Sequence, residues 1–488
     1  MNKLLNALTN EFNYKTTENG AIALKSTKSK VYDMFAFGGA YRTRSEADCI
    51  LLFKEAFAED AVLATKCLFY LGDVRGGQGE RRFFRVCLSW MANEHPHVLK
   101  KFVNLIPLYR RWDDLYVLVG TPLEKDMWAF VREQINTDLT CKVPSLCAKW
   151  LKSENTSSKL SCELGNKTRK ALGLSHKEYR KLLSHLRTRI NIVERLMSSN
   201  QWDKIEFDKL PSKAGFIYRN AFARHEYARY SAFATSEETK VNASTLYPYE
   251  VVGKALDYYR HNYYSNTKDK AERAIINKYW DNLADYFGEA SLNALAIVDT
   301  SGSMHGLPMQ VAISLGLYCA DKAKGPFHNH YISFSSRPQL VKCEGIDFVD
   351  KVNRIYDNCI VDDTNLESSF DLVLNAAIEN KLTQEDLPAS LIVISDMEIN
   401  SAVGYYDFDV KTTMAKIRKK WEQYGYKMPS LIYWNVNARN NTILDESSDA
   451  TFVSGCSPVI FEQILKNKRG YDLMLDKLNS ERYAAITF

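Results

Sequence analysis

The sequence predicts an α plus α/β protein: an N-terminal array of α-helices followed by a doubly wound, Rossmann-like sheet domain. Two observations predict it, and a charge asymmetry that bears on partners marks the same boundary. From Ser45 to about Phe287 apolar residues recur at helical spacing with hardly a strand between them. From Leu295 onward short apolar runs alternate with amphipathic helical stretches, the pattern of βα units around a buried parallel sheet. The charge divides at the same place. Residues 291–488 hold 19 Lys and Arg against 25 Asp and Glu, leaving 45 against 34 for residues 1–290.

A chain of 488 residues accommodates two such domains, placed here at 1–290 and 291–488. Its 45% hydrophobic and 25% charged content is ordinary for a globular protein. No apolar run reaches the roughly 18–20 residues of a membrane span, and the start, Met1 to Asn6, lacks the apolar core of a signal peptide. The ten cysteines form no CxxC pair and no zinc-like spacing with histidine. Free thiols and a cytoplasmic location are therefore expected, with no membrane partner.

In the first half, residues 1–44 are mixed: Asn19-Gly20 and Phe37–Arg44 read as loop, and Ala21–Leu24 offers a short strand. Ser45-Glu46-Ala47-Asp48 opens a helix whose pattern runs on to Leu71. The Gly-rich turn from Gly72 to Glu80 follows, with Arg75, Arg81, Arg82 and Arg85 in and after it. Glycines admit a close backbone approach and arginines fork onto phosphates. The same pattern also suits a plain inter-helix turn with solvated arginines. It is no P-loop, lacking GK[ST] and a preceding strand. Helices at His97–Ile106, from Trp112, and at Lys125–Thr137 suggest stacking of the HEAT-repeat kind.

After a polar loop at Asn155–Ser161, a basic helical region carries Lys167, Arg169, Lys170, Lys177, Arg180, Lys181, Arg187 and Arg189, with Tyr179 and His185 among them. Basic side chains interleaved with aromatics fit backbone contact plus base stacking on single-stranded RNA; a solvated helix face is the alternative. Pro211 starts another helix, and two more, near Pro248–Asn262 and Lys268–Phe287, carry an aromatic stripe read as packing.

The second half opens on Leu295-Ala296-Ile297-Val298-Asp299, a buried-strand pattern whose end presents Asp299, Ser301 and Ser303. Function in open α/β sheets sits at the carboxyl ends of strands. One carboxylate and two hydroxyls are hard oxygen donors, suited to Mg²⁺, Mn²⁺ or Ca²⁺. Thr364 precedes a helix starting at Leu366, and Leu391–Ser395 is a second strand that ends in Asp396. Further strands are expected at His330–Phe334, Ser430–Asn435 and Ala450–Ser454, with helices at Phe348–Ile355, Thr412–Tyr424, Phe461–Leu465 and Tyr471–Leu478.

Asp-x-Ser-x-Ser, then Thr, then Asp, in that order and strand context, resembles the metal-ion-dependent adhesion site (MIDAS) of a von Willebrand factor A (vWA) domain. The resemblance implies that Asp299, Ser301, Ser303, Thr364 and Asp396 hold one Mg²⁺, with an acidic group of a partner completing its shell. The whole chain resembles TROVE-like proteins of the Ro autoantigen type, which pair a ring of helical repeats with a C-terminal vWA domain. It is more similar still to a family of unknown function with the same two-part layout. That similarity is carried by Gly72–Arg81, His95-Pro96, Trp112-Asp113-Asp114-Leu115, Ala148-Lys149-Trp150, Tyr179-Arg180-Lys181, Pro211–Ala214, Val298–Met304, Ser395-Asp396-Met397 and Tyr433-Trp434-Asn435.

The expectation is thus an RNA-binding ribonucleoprotein scaffold, not an enzyme. A basic TROVE-like domain would bind small non-coding or structured RNA, or single-stranded RNA, rather than DNA. Candidate contacts are Arg75, Arg81, Arg82, Arg85, Lys170, Lys177, Arg180, Lys181, Arg187 and Arg189. The alternative is a protein-interaction module that uses the metal to capture an acidic partner residue, with no nucleic acid. A metal-dependent hydrolase fits poorly, since the set has two carboxylates and no paired general base beyond Glu398.

Overall fold

The computed structural model describes residues 12–262, 269–334, 337–359, 365–400 and 412–488. Helices of eight or more residues are numbered in chain order. The first half contains α1 (Lys30–Phe37), α2 (Glu46–Glu59), α3 (Ala61–Gly72), α4 (Arg81–Glu94), α5 (Glu124–Thr140), α6 (Lys159–Leu172), α7 (His176–Arg189), α8 (Ser212–His225), α9 (Tyr227–Thr235), α10 (Pro248–Asn262) and α11 (Lys270–Asp281). It begins with an antiparallel hairpin, β1 (Tyr14–Thr16) and β2 (Ile22–Leu24).

Local chemistry sets the helix ends. Ser45 and Asp48 form a reciprocal capping box at the start of α2. The long run expected from Ser45 to Leu71 is broken at Asp60, whose backbone is extended. Its carboxylate accepts from Leu63 N at 2.8 Å, so one residue ends α2 and caps α3. Gly173, in the left-handed region at φ 72°, closes α6. Ser175 and Glu178 then open α7 with a second capping box. The expected helix at Trp112 is a 3₁₀ run, Trp112–Leu118. Tyr258, Tyr279 and Trp280 of the aromatic stripe are buried, as packing requires.

The second half is a six-stranded mixed sheet with β3 (Ala294–Asp299), β4 (His330–Phe334), β5 (Gln339–Lys342), β6 (Ser390–Ser395), β7 (Ser430–Asn435) and β8 (Thr451–Ser454). Around it lie α12 (Leu307–Lys322), α13 (Phe348–Asp357), α14 (Leu366–Glu379), α15 (Thr413–Gln423) and α16 (Gly470–Leu478). The order is β5-β4-β3-β6-β7-β8, and all neighbours are parallel except β4 and β5. Strands β3 and β6 are buried along their whole length, which explains their unbroken apolar sequences. The chain works outward from β3 to β5, then crosses back to lay β6 on the other side of β3. Strand order therefore reverses between β3 and β6, the place where open α/β sheets form a ligand crevice.

Two further elements depart from the sequence expectation. One is the antiparallel edge strand β5. The other is α1, a helix that the mixed pattern of residues 1–44 does not show. Helix α1 covers the opposite edge of the sheet, shielding β8 from pairing with another chain. Phe452 N donates to Tyr32 Oη at 2.8 Å, Ser454 Oγ donates to Phe35 O at 3.0 Å, and Gly39 N donates to Ser454 Oγ at 2.9 Å. Val31, Met34, Phe35 and Phe37 are buried there, each side chain contributing about 1.5–3 kcal/mol. Leu24 of the hairpin exchanges backbone hydrogen bonds with Ile443. One continuous hydrophobic core runs through both halves.

Candidate functional site at the β3–β6 crossover

The parallel register pairs Val298 with Ile394, which brings Asp299 level with Ser395 at the carboxyl edge. Ser395 Oγ donates to Asp299 Oδ2 at 2.5 Å, and Ser301 N donates to Asp299 Oδ1 at 2.9 Å. The Ser301 and Ser303 hydroxyls lie 3.2 Å apart. Asp299, Ser301 and Asp396 are buried, while Ser303 is exposed at the mouth. Asp396 accepts from Glu398 N at 3.2 Å and from Arg439 Nη2 at 2.9 Å. Thr364 lies outside the described residues.

Burial and, after it, the nearby Asp396 charge push the Asp299 carboxyl up to about 7, against the opposing hydrogen bonds from Ser395 and Ser301. Two buried carboxylates thus face one guanidinium and a group of hydroxyls. Among the described residues, no three His, Cys, Asp or Glu side chains gather as a metal cluster. A site built here draws two donors from carboxylates and the others from hydroxyls, as hard cations accept. The observation that fits a divalent cation is geometric: Asp299 lies buried beside a second buried carboxylate and, among the described residues, has hydroxyl and N–H partners but no paired arginine or lysine.

Beside this pair sits a second layer, of which the sequence singles out Glu398 alone. The turn of the β1–β2 hairpin docks on the segment after β6: Thr17 Oγ1 donates to Ile399 O at 2.6 Å, and Asn19 Nδ2 donates to Glu398 O at 2.6 Å. Glu398 is buried, accepting from Glu18 N at 2.7 Å and from Thr442 Oγ1 at 3.0 Å. Arg439, on the loop after β7, bridges Asp396 and Glu18. For Arg439 the one signal in the sequence is a basic residue in the loop after a parallel strand, Asn437-Ala438-Arg439-Asn440-Asn441.

The ten candidate RNA contacts divide. Arg75, Lys170, Lys177, Arg180 and Lys181 are exposed. The other five are engaged by the protein. Arg81 and Arg85 both pair with Asp113 and Asp114. Arg82 donates to Arg44 O at 2.6 Å. Arg187 donates to Ala148 O, Ser153 Oγ and Leu151 O, and Arg189 to Asp138 O and Cys141 O. Asp114 is buried, and although burial raises its carboxyl, Arg110, Arg85 and Arg81 together hold it below the usual value.

The Gly-rich turn is likewise committed to packing. A Cβ on Gly77 would stand 1.8 Å from Tyr70 O. Gly79, at φ 64°, lies so close to Tyr247 that its Cβ would fall 1.8 Å from the hydroxyl. Gln78 Nε2 donates to Tyr70 Oη at 2.7 Å, while its Oε1 accepts from Ser457 N at 3.1 Å. Here the glycines admit the chain's own groups.

Comparison with known proteins places the chain. Residues 17–114 and 123–291 match the family described as Domain of unknown function (DUF2828), and residues 293–482 match Domain of unknown function (DUF7788). The first match covers more than half of the chain, and the protein belongs to that family. An uncharacterized protein, L728, of Acanthamoeba polyphaga mimivirus is 29% identical over 518 residues, spanning 97% of this chain and 84% of its own.

Proposed function

We propose that this protein is an RNA-binding scaffold of TROVE-like layout, in which the helical half holds RNA and the sheet half is a vWA-type domain with a divalent-cation site. The observation that carries the RNA reading is the solvent face of α7. Lys177, Arg180, Lys181, Ser184, His185 and Thr188 are all exposed, and they recur at the three-and-four spacing of one helix face. Lys167 and Lys170 of α6 add exposed charge just before it in the chain. Three cations and an imidazole on one open face suit phosphates and unstacked bases.

Titration of a fluorescent single-stranded RNA into the full chain tests this reading. Affinity should fall steeply with salt, by about 0.7 in log–log slope for each phosphate neutralised on a single strand. Absent or salt-insensitive binding overturns it. The full chain is the right material, because α1 and the Gly-rich turn bury themselves against residues 451–457.

At the sheet, Asp299, Ser301, Ser303 and Asp396 would hold Mg²⁺, or Mn²⁺ or Ca²⁺ in its place. Such an ion supplies positive charge that attracts an acidic group of a partner. The order β5-β4-β3-β6-β7-β8, with both carboxylates at the crossover, supports this part. It equally supports the second reading, a protein-interaction module without RNA. A pull-down with Asp299→Ala separates the two: lost protein capture with no RNA in either sample favours the module.

A further inference from the structure

We propose that Arg439 is the built-in cation of the strand-end site, resting on Asp396 until a divalent ion displaces it, and that this displacement loosens the N-terminal hairpin. The proposal rests on the reading of that site as a cation site. Its starting point is how Arg439 is held. Nη2 reaches Asp396 Oδ2 at 2.9 Å and Nη1 reaches Glu18 Oε2 at 2.7 Å. Nε is buried with no hydrogen-bond partner among the described residues.

Several other arginines of this chain grip one carboxylate with two donors, whereas Arg81 and Arg85, like Arg439, divide between two. Arg273 holds Asp347 through Nε and Nη2, both at 2.7 Å, and Arg418 holds Asp445 through Nη1 and Nη2 at 3.2 and 2.6 Å. A fork of that kind is the strong form of the pair. Arg439 instead divides itself between two carboxylates and leaves a buried donor unused, which carries a desolvation cost. One N–H on Asp396 is a contact that a doubly charged ion can outcompete. Next to it, Asp299 is bonded by Ser395 and Ser301 and, among the described residues, by no cation, so the one guanidinium of the site serves Asp396 alone of the two carboxylates.

The far end of the bridge is the hairpin turn. Glu18 N donates to Glu398 Oε2 at 2.7 Å, and Glu18 Oε1 accepts from Asn440 Nδ2 at 2.9 Å. Moving Arg439 off Asp396 shifts the group that fixes Glu18 from one side. Arg439 thereby adds a charged link between the site and the hairpin turn to the bonds that Thr17, Glu18 and Asn19 make with Glu398 and Ile399, and ion loading is transmitted to that turn through it.

The experiment uses the full chain with Mn²⁺, whose free form is read by electron paramagnetic resonance, and amide hydrogen exchange over residues 14–24. Wild type should bind Mn²⁺, and exchange in the hairpin should rise on loading. Arg439→Gln should bind roughly tenfold tighter or more, the scale on which groups bonded to a metal's ligands change affinity. Its hairpin exchange should already be fast and indifferent to Mn²⁺. Equal or weaker binding by R439Q, or hairpin exchange unchanged at saturating Mn²⁺ in wild type, overturns the proposal. The wild-type exchange measurement needs no variant, so it decides the matter even if R439Q does not fold. Asp299→Asn separates the two failures: if Mn²⁺ binding persists undiminished in it, the cation reading itself falls and the proposal with it.

Discussion

Arg482 closes the protein on itself by gripping Asp73, 409 residues earlier, with Nη2 on Oδ1 at 2.7 Å and Nε on Oδ2. Tyr483 Oη donates to the same carboxylate at 3.0 Å, and Asp73 is fully buried. The last turn of the chain thus satisfies a charge in the Gly-rich turn of the first half. Removing one partner of a buried pair costs about 3–5 kcal/mol, because the other is left uncompensated. Because the Arg482 side chain is 35% exposed, Arg482→Met should destabilise the protein by only part of that, about 1–3 kcal/mol in urea denaturation, and residues 1–290 expressed alone should fail to unfold cooperatively. An independently folding 1–290 fragment with a sharp melting transition would contradict this.

Asp114 makes a prediction about acid. Arg81, Arg85 and Arg110 all point at it, and the Arg110 side chain is almost wholly buried. Its carboxyl titrates below the ordinary value of 3.8 in the folded protein. A depressed acid adds stability that is complete above the unfolded value and is lost as pH falls through the folded one. Asp114→Asn should thus be well below wild type in thermal stability at pH 7. The gap should narrow as pH is lowered below the unfolded value of 3.8. A gap independent of pH would mean the residue acts through shape alone.

How much of this is legible in the sequence depends on whether a signal is local. Asp299 and Asp396 stand out because a strand buried on both faces leaves an apolar run that stops abruptly at a charge. Helix α1 escapes because Lys30–Phe37 is buried from Val31 onward, so no polar face marks a helical period. Asp60 escapes because an acid between two apolar runs looks like any helix residue until its backbone is known to be extended. Strand β5 is four mostly exposed residues on an edge, too short to show alternation. The fate of Arg81 and Arg85 is illegible for a different reason. Asp113 and Asp114, which occupy them, are about thirty residues away, and only the fold brings them together.

Asp299→Asn tests the cation site by stability. The substitution keeps the shape and removes one of two buried charges. Wild type in Mg²⁺ at about a hundred times its dissociation constant should gain about 2.7 kcal/mol. Asp299→Asn should gain nothing from the same addition, and Ser301→Ala should gain less than wild type. Chelation by EDTA should return wild type to its ion-free melting temperature. An equal Mg²⁺ response in wild type and Asp299→Asn would remove Asp299 from the ligand set.

The division of the candidate RNA-binding residues makes the last prediction, a contrast between two sets of arginines and lysines. Lys177, Arg180 and Lys181 are exposed on α7, whose helix is held from its other face by Tyr179, Leu183 and Leu186. Reversing these three charges to Glu should leave the melting temperature within a few degrees of wild type. RNA affinity should drop, and the salt slope should become shallower by about 0.7 for each phosphate no longer neutralised. Arg81→Ala and Arg85→Ala should do the opposite, because their guanidiniums serve Asp113 and Asp114. They should lower stability with RNA affinity of the folded protein unchanged. Filter binding across a salt series, with melting curves on the same samples, decides between these outcomes. If the α7 triple variant binds RNA as wild type does, the basic face is solvated surface and the RNA site lies elsewhere.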